Sequence, residues 1–314
     1  MVRKKQKHTG CKALLLSLVV LLALFVGILV APTPHEVSSG SVSWPQGVEL
    51  PAPVPGEQQV SHCGYALSYN EQYEQPSWVA YQLTCDEVVG TIERTDNFRP
   101  DPAILTRSAS LDDYRSSGYD RGHLIPAADQ KWSAQAMDDS FYLSNMSPQT
   151  GAFNRGIWSH LEAVVRTFAN DNGAIYIATG PVLFDGPYKT IGKNQVAVPN
   201  QFYKVILFYD GKKAKAIGFI LNNEGSIRKV EDFATSVDDV EKLTHLDFFV
   251  ALPDPLEIQV EASYNLDEWN FKEFKGGEKP TGNGGNGQKD TRRTILLLTD
   301  KIRKQALILL KSLS

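Results

Sequence analysis

Residues 13–31 form an unbroken run of nineteen uncharged, mostly apolar residues, and this sets the first limit on what the chain can become. That length is about what an α-helix needs to cross the hydrocarbon core of a bilayer. The run follows Arg3, Lys4, Lys5, Lys7 and Lys12, with no acidic residue among the first twelve. A basic cluster ahead of an apolar run at the very start reads as a targeting segment rather than a buried core helix. Pro32 directly after Ala31 is a poor cleavage context, so one uncleaved transmembrane signal anchor over 13–31 is expected. A cleaved signal peptide and a secreted product are the alternative. The positive-inside rule then makes residues 1–12 a basic cytoplasmic end and puts the rest on the outer, periplasmic or extracellular, side.

Composition divides the remainder. Residues 32–59 are rich in Pro, Ser and Gly, including Pro51-Ala52-Pro53-Val54-Pro55-Gly56, and read as an extended tether. Residues 60–275 are expected to fold as one domain. Residues 276–288 contain Gly282-Asn283-Gly284-Gly285-Asn286-Gly287 and read as a flexible linker. Over 289–314, Ile302, Ala306, Leu309 and Leu310 alternate with Arg303, Lys304 and Lys311. That pattern predicts a basic amphipathic tail for a membrane surface or a protein partner, with weak packing on its own domain as the alternative. The net charge of −4 conceals an asymmetry: residues 13–288 hold 20 basic and 34 acidic groups, a net of −14. A body that acidic is no generic polyanion surface, so any nucleic acid must be drawn by a local arginine cluster and a metal ion. Cys63 and Cys85 are compatible with a disulfide, if exported, or with two buried thiols.

Within the domain, 78–84, 174–179 and 201–209 have strand composition. Asp210-Gly211 between 203–209 and 214–221 marks a hairpin turn. Helices are expected over 132–140, over 154–168 from the stripe Ile157, Leu161, Val164, Val165 and Phe168, and over 230–243.

The chemistry gathers around Asp120-Arg121-Gly122-His123. A histidine can exchange a proton near neutral pH, and an arginine two residues earlier can clamp a phosphate. In an extended segment the two share a face. On the later helix, Asn154, Trp158, Glu162 and Arg166 form a ladder of i,i+4 neighbours. Phosphodiester cleavage needs a base for water and stabilisation of negative oxygens. His123 suits the base, while Arg121 and Arg94 suit the phosphate. Asn154 could hold magnesium, an ion that keeps most of its water and often needs only one or two protein oxygens. Glu162 could orient that hydration shell. Each residue alone has an ordinary structural alternative: Asn154 as a helix cap, Glu162 with Arg166 as a surface ion pair.

These segments, with Leu143-Ser144-Asn145-Met146-Ser147-Pro148-Gln149, Asn154-Arg155-Gly156 and Arg94-Thr95-Asp96-Asn97-Phe98-Arg99, resemble the DNA/RNA non-specific endonuclease family. That family comprises the Serratia-type nucleases and endonuclease G. The resemblance runs from about residue 65 to 249. It implies an α+β fold with a central antiparallel sheet flanked by helices and a ββα-metal (His-Me finger) site. It also implies a sugar-non-specific endonuclease, a phosphodiester hydrolase that leaves 5′-phosphate ends on DNA and RNA. The resemblance makes His123 the general base, Asn154 the direct Mg2+ ligand (Mn2+ substituting) and Glu162 the residue holding the metal's water. It places Arg121 and Arg94 at the scissile phosphate and Arg166 as a further phosphate contact. Phe141 stands where some members have an asparagine, so that asparagine's role does not transfer. The rival readings are a catalytically silent nucleic-acid-binding or uptake protein on the same fold, and a hydrolase of lipid head groups.

Overall fold

The computed structural model describes residues 47–184 and 186–276. The expected basic end, the anchor over 13–31, the first part of the tether and the residues from 277 onward, including the amphipathic tail, lie outside the described residues. Among the described residues no helix is long and apolar enough to cross a membrane.

A seven-stranded sheet forms the centre, in the order β1-β2-β3-β6-β9-β10-β11. Its strands are β1 (Gln58–His62), β2 (Tyr65–Asn70), β3 (Gln75–Thr84), β6 (Ala174–Pro181), β9 (Gln201–Tyr209), β10 (Ala214–Asn222) and β11 (Ala234–Thr235). Every pairing in it is antiparallel. Side chains alternate between the two faces of a strand, and the core follows that period. Val79, Tyr81, Ile175, Ile177 and Ile206 join a core with Leu161, Val165 and Phe168 of helix α4 (Ser159–Asn172). Trp78, Ala80, Tyr176, Ala178, Val205 and Leu207 join a second core with Val240 of α5 (Val237–Thr244) and Val260 of α6 (Asp254–Glu261). The sheet therefore separates α4 on one face from α5 and α6 on the other. Fully burying side chains of this size contributes about 1.5–3 kcal/mol each, so both layers are firmly held.

Three smaller helices, α1 (Leu111–Tyr114), α2 (Ala134–Asp139) and α3 (Gly151–Phe153), and two hairpins complete the domain. The hairpins are β4 (Asp120–His123) with β5 (Met146–Gln149), and β7 (Thr190–Ile191) with β8 (Val196–Ala197). At the β9–β10 turn, Asp210 Oδ1 accepts from the backbone N–H of Lys212 (2.9 Å) and Lys213 (2.7 Å), while Gly211 adopts φ +84°. This is the left-handed conformation that glycine reaches without penalty.

The α+β fold with its central antiparallel sheet agrees with expectation, two local readings change, and one open alternative is decided. The helix expected over 230–243 is a 3₁₀ turn (Val230–Phe233), the edge strand β11 and then α5. Ser236 interrupts it, because its side chain accepts from Asp239 N–H and caps α5 there. The described part of the expected tether packs on the domain: Val48 and Pro51 are buried, Ala52 N–H donates to Asp247 O at 2.8 Å, and β1 begins at Gln58. No disulfide joins Cys63 to Cys85.

Candidate active site

The β4–β5 hairpin sets Gly122 opposite Ser147 and His123 opposite Met146. Arg121 and His123, two residues apart on β4, both reach Phe98. The Arg121 guanidinium lies 4.2 Å over that ring. The His123 ring meets Phe98 edge-on at 5.5 Å and Phe141 edge-on at 5.0 Å. Arg94 lies 4.8 Å over the Phe141 ring, and its Nε donates to Asp96 at 2.6 Å. Two aromatic rings thus carry two guanidiniums with an imidazole between them, and the negative faces of the rings favour that arrangement. The chain after His123 is pinned by Asn145, whose Oδ1 accepts from Ile125 N–H at 3.0 Å and whose Nδ2 donates to Ile125 O at 3.1 Å. Trp158 Nε1 donates to His123 O at 3.4 Å and ties the hairpin to the helix behind it.

His123 Nε2 is buried and has no hydrogen-bond partner among the described residues. Burial, with the charges of Arg94 and Arg121, pulls the imidazole pKa down to about 3. The ring is therefore neutral near pH 7 and keeps an open nitrogen, which is the state a proton acceptor requires.

After β5 the chain enters α3, whose N-cap is Thr150 accepting from Phe153 N–H. Asn154 is therefore not that cap. It opens a π turn, Asn154–Trp158, in which Gly156 leaves helical geometry at φ −106° and ψ −116°. π turns are recurrent at functional sites because the extra residue re-aims neighbouring side chains. Here the turn breaks the expected i,i+4 ladder: Trp158 is buried in the core, whereas Asn154 lines a cleft of about 610 Å³ with Asp120, Arg94 and Arg121. Asn154 Nδ2 donates to Asp120 Oδ2 at 3.0 Å, which fixes the amide and leaves its Oδ1 as the free end.

Glu162 and Arg166, both half-buried, stand behind the cleft in a charge group with the buried Asp129 and Lys204. Arg166 Nη1 pairs with Asp129 at 3.1 Å, and Tyr81 Oη donates to the same carboxylate at 2.9 Å. Lys204 of β9 is fully buried and its Nζ has no hydrogen-bond partner, lying 4.9 Å over the Trp158 ring. Burial raises the Glu162 pKa against the opposing charges of Arg166 and Lys204, with Arg94 also acting on it. Burial likewise lowers the Lys204 ammonium, with Glu162 and Asp129 opposing. The charge of Arg94 acts on both His123 and Glu162.

Of the residues singled out in the sequence, Arg94, Arg121 and Asn154 line the cleft, with His123 against its aromatic wall. Arg166 is turned inward to Asp129, away from the place a phosphate contact would need. Sequence reasoning missed Arg115 and Arg155 on the cleft wall, and Lys204 and Asp129 behind it. For Lys204 a signal existed: one charge in the middle of the otherwise apolar β9 must be buried with compensation. Arg115 and Arg155 carried none, since only the fold brings them to the cleft. Loop 192–194 supports that wall through α1: Asn194 N–H and Nδ2 donate to Asp113 at 3.0 and 2.9 Å.

A family model for DNA/RNA non-specific endonuclease matches residues 47–255. Nuclease EXOG, mitochondrial, of Danio rerio is 36% identical over 216 residues, 64% of this chain and 63% of that protein. Endonuclease G, mitochondrial, of Homo sapiens is 35% identical over 210 residues, 62% of this chain and 71% of that protein. A crystal structure of the EndoG/EndoGI complex, describing the mechanism of EndoG inhibition, aligns with TM-score 0.58 at 34% identity and covers 62% of this chain and 87% of that one. The chain spans less than two thirds of the Danio rerio protein's length. Both relatives are named as mitochondrial, which overturns the membrane-anchored, outer-side placement expected from the leading apolar run and the secreted alternative with it.

Proposed function

The chain belongs to the DNA/RNA non-specific endonuclease family, and from that premise we propose that it hydrolyses phosphodiester bonds of DNA and RNA internally, with magnesium, leaving 5′-phosphate ends. One observation carries the reading. A neutral histidine with a buried, unpartnered Nε2 sits between two arginines on the wall of a polar cleft. An imidazole in that state can take a proton, and among the described residues nothing occupies the nitrogen that would take it.

The scissile phosphate binds to Arg94 and Arg121, whose planar forks match its oxygens. Stacking on Phe141 and Phe98 holds both guanidiniums before substrate arrives, so little ordering remains for binding. Burial keeps the His123 pKa low, and the phosphate's negative charge then offsets the part due to the two arginines and raises its basicity. His123 Nε2 draws the proton from the attacking water as the new P–O bond forms, the P–O3′ bond breaks, and the departing O3′ takes a proton from solvent.

The residues present fit a magnesium ion. Asn154 offers one neutral oxygen, fixed in orientation by Asp120, and Glu162 supplies a carboxylate nearby without being a direct ligand. A hard ion that retains most of its water suits such a sparse donor set, and manganese would substitute. When bound, the ion supplies charge neutralisation at the phosphoryl and leaving oxygens. Glu162, in the field of Arg166 and Lys204, would order the ion's water from behind the cleft, and Arg166, paired with Asp129, balances that carboxylate's charge rather than gripping phosphate.

Supercoiled plasmid and a structured RNA, each incubated with the protein with and without Mg2+, test the reading. Both are expected to be cut only with the ion, with Mn2+ replacing it and 5′-phosphate termini on the fragments. Binding of DNA without cutting under either ion would overturn the proposal in favour of a silent binding protein.

A further inference from the structure

On the sheet face away from the cleft, α5 and α6 bring three carboxylates together. One oxygen each from Asp238, Glu241 and Glu261 lies within 4.8 Å of the others. Glu261 is 5% exposed, and its Oε1 is buried with no hydrogen-bond partner. Glu241 Oε1 accepts from Phe248 N–H at 2.8 Å, which fixes that side chain. Val240 and Val260 belong to the core beside them, so Glu261 is anchored in an apolar wall. Lys242, the nearest basic residue in sequence, is engaged with Asp239 at 3.1 Å. A buried carboxylate oxygen without a donor is costly unless a proton or a cation satisfies it.

We propose that Asp238, Glu241 and Glu261 form a divalent-cation site, of the calcium class, that clamps α5 to α6 and is separate from the catalytic cleft. The donors are all carboxylate oxygens, with no imidazole or thiolate among them, which disfavours zinc and suits a hard cation. Three carboxylates on two packed helices suit calcium, which accepts bidentate and irregular oxygen sets, better than magnesium with its strict octahedron and retained water. The two solvent-facing members leave room for water in the remaining positions. Partial hydration sets an expected affinity of about 10⁻⁵–10⁻³ M.

The test is a calorimetric titration of the full chain with CaCl2, paired with thermal unfolding with and without Ca2+. Both are run in an Asn154→Ala background, so that the catalytic cleft contributes no binding. One calcium is expected per chain, with a raised unfolding midpoint. Glu261→Gln and, separately, the more exposed Asp238→Asn are each expected to weaken binding at least tenfold and to abolish the thermal shift. If Glu261→Gln fails to fold, Asp238→Asn carries the same comparison. Absence of binding heat and of a thermal shift would overturn the proposal. So would equal calcium binding in Asp238→Asn, or a Glu261→Gln protein that is more stable without calcium while the parent ignores the ion. The last result would mean that Glu261 is simply kept protonated.

Discussion

His123 works through its surroundings. An exposed imidazole titrates near 6.5, while this one is pulled to about 3 by burial, Arg94 and Arg121. Its folded pKa lies below the unfolded value, so protonation favours the unfolded chain. The stability gained from keeping it neutral is complete above about pH 6.5 and is lost as pH falls toward 3. The acid limb of kcat/KM, which reports the free enzyme, should accordingly lie well below 6.5. Arg94→Gln removes one of the causes and should raise the His123 pKa, measured by NMR titration of the ring, and move that limb upward. An unmoved titration would mean that Arg94 does not act on His123. Asn154 makes a different prediction. Thr150 caps the helix, so Asn154→Ala should keep its fold by circular dichroism while losing magnesium-dependent cutting by about 10²-fold or more, beyond what outer-sphere changes cost. Unfolding of that variant would return Asn154 to a structural role.

The working element is the β4–β5 hairpin followed by a helix with one π turn. Gly122 lets the strands close: a Cβ there would fall 2.1 Å from the buried Gln149 side chain. Gly122→Ala should therefore destabilise the protein by about 1–3 kcal/mol, seen as a lower denaturation midpoint, with activity falling alongside as Arg121 and His123 shift. Much of this element could be read from the sequence. Period two placed Arg121 and His123 on one face, and the stripe from Ile157 to Phe168 located the helix. The π turn could not be read, because the expected ladder assumed 3.6 residues per turn throughout, and the re-aiming of Asn154 depends on Gly156 leaving helical geometry. The charge group of Asp129, Arg166, Glu162 and Lys204 was equally hidden, since its members come from three separate elements that only the packed sheet unites. The break at Ser236 shows the converse: a capping residue was present in the sequence but was masked by the apolar period around it.

Across the described residues, charge is unevenly spread between the sheet faces. The cleft carries Arg94, Arg115, Arg121 and Arg155 against Asp96 and Asp120, while Asp238, Glu241, Asp247, Glu257 and Glu261 act on one another around α5 and α6. An acidic domain can thus handle a polyanion through one basic cleft, with its acidic back turned from the substrate. Four arginines, of which Arg94, Arg115 and Arg155 already pair with Asp96, Asp112 and Asp120, set an upper limit on the phosphates neutralised, so log K for duplex DNA should fall with log salt at a slope no steeper than about −4. Fluorescence anisotropy in the absence of divalent ions measures that slope. A value near −8 would require a basic surface well beyond this cleft.

The central claim is that His123 supplies the base, and single-turnover cutting of a labelled duplex at saturating Mg2+ tests it most directly. His123→Ala should lose about 10²–10⁴-fold in rate while binding DNA as before. Added imidazole, entering the space left between Phe98 and Phe141, should restore part of that loss. Cutting within a few-fold of the parent protein, with no response to imidazole, would contradict it.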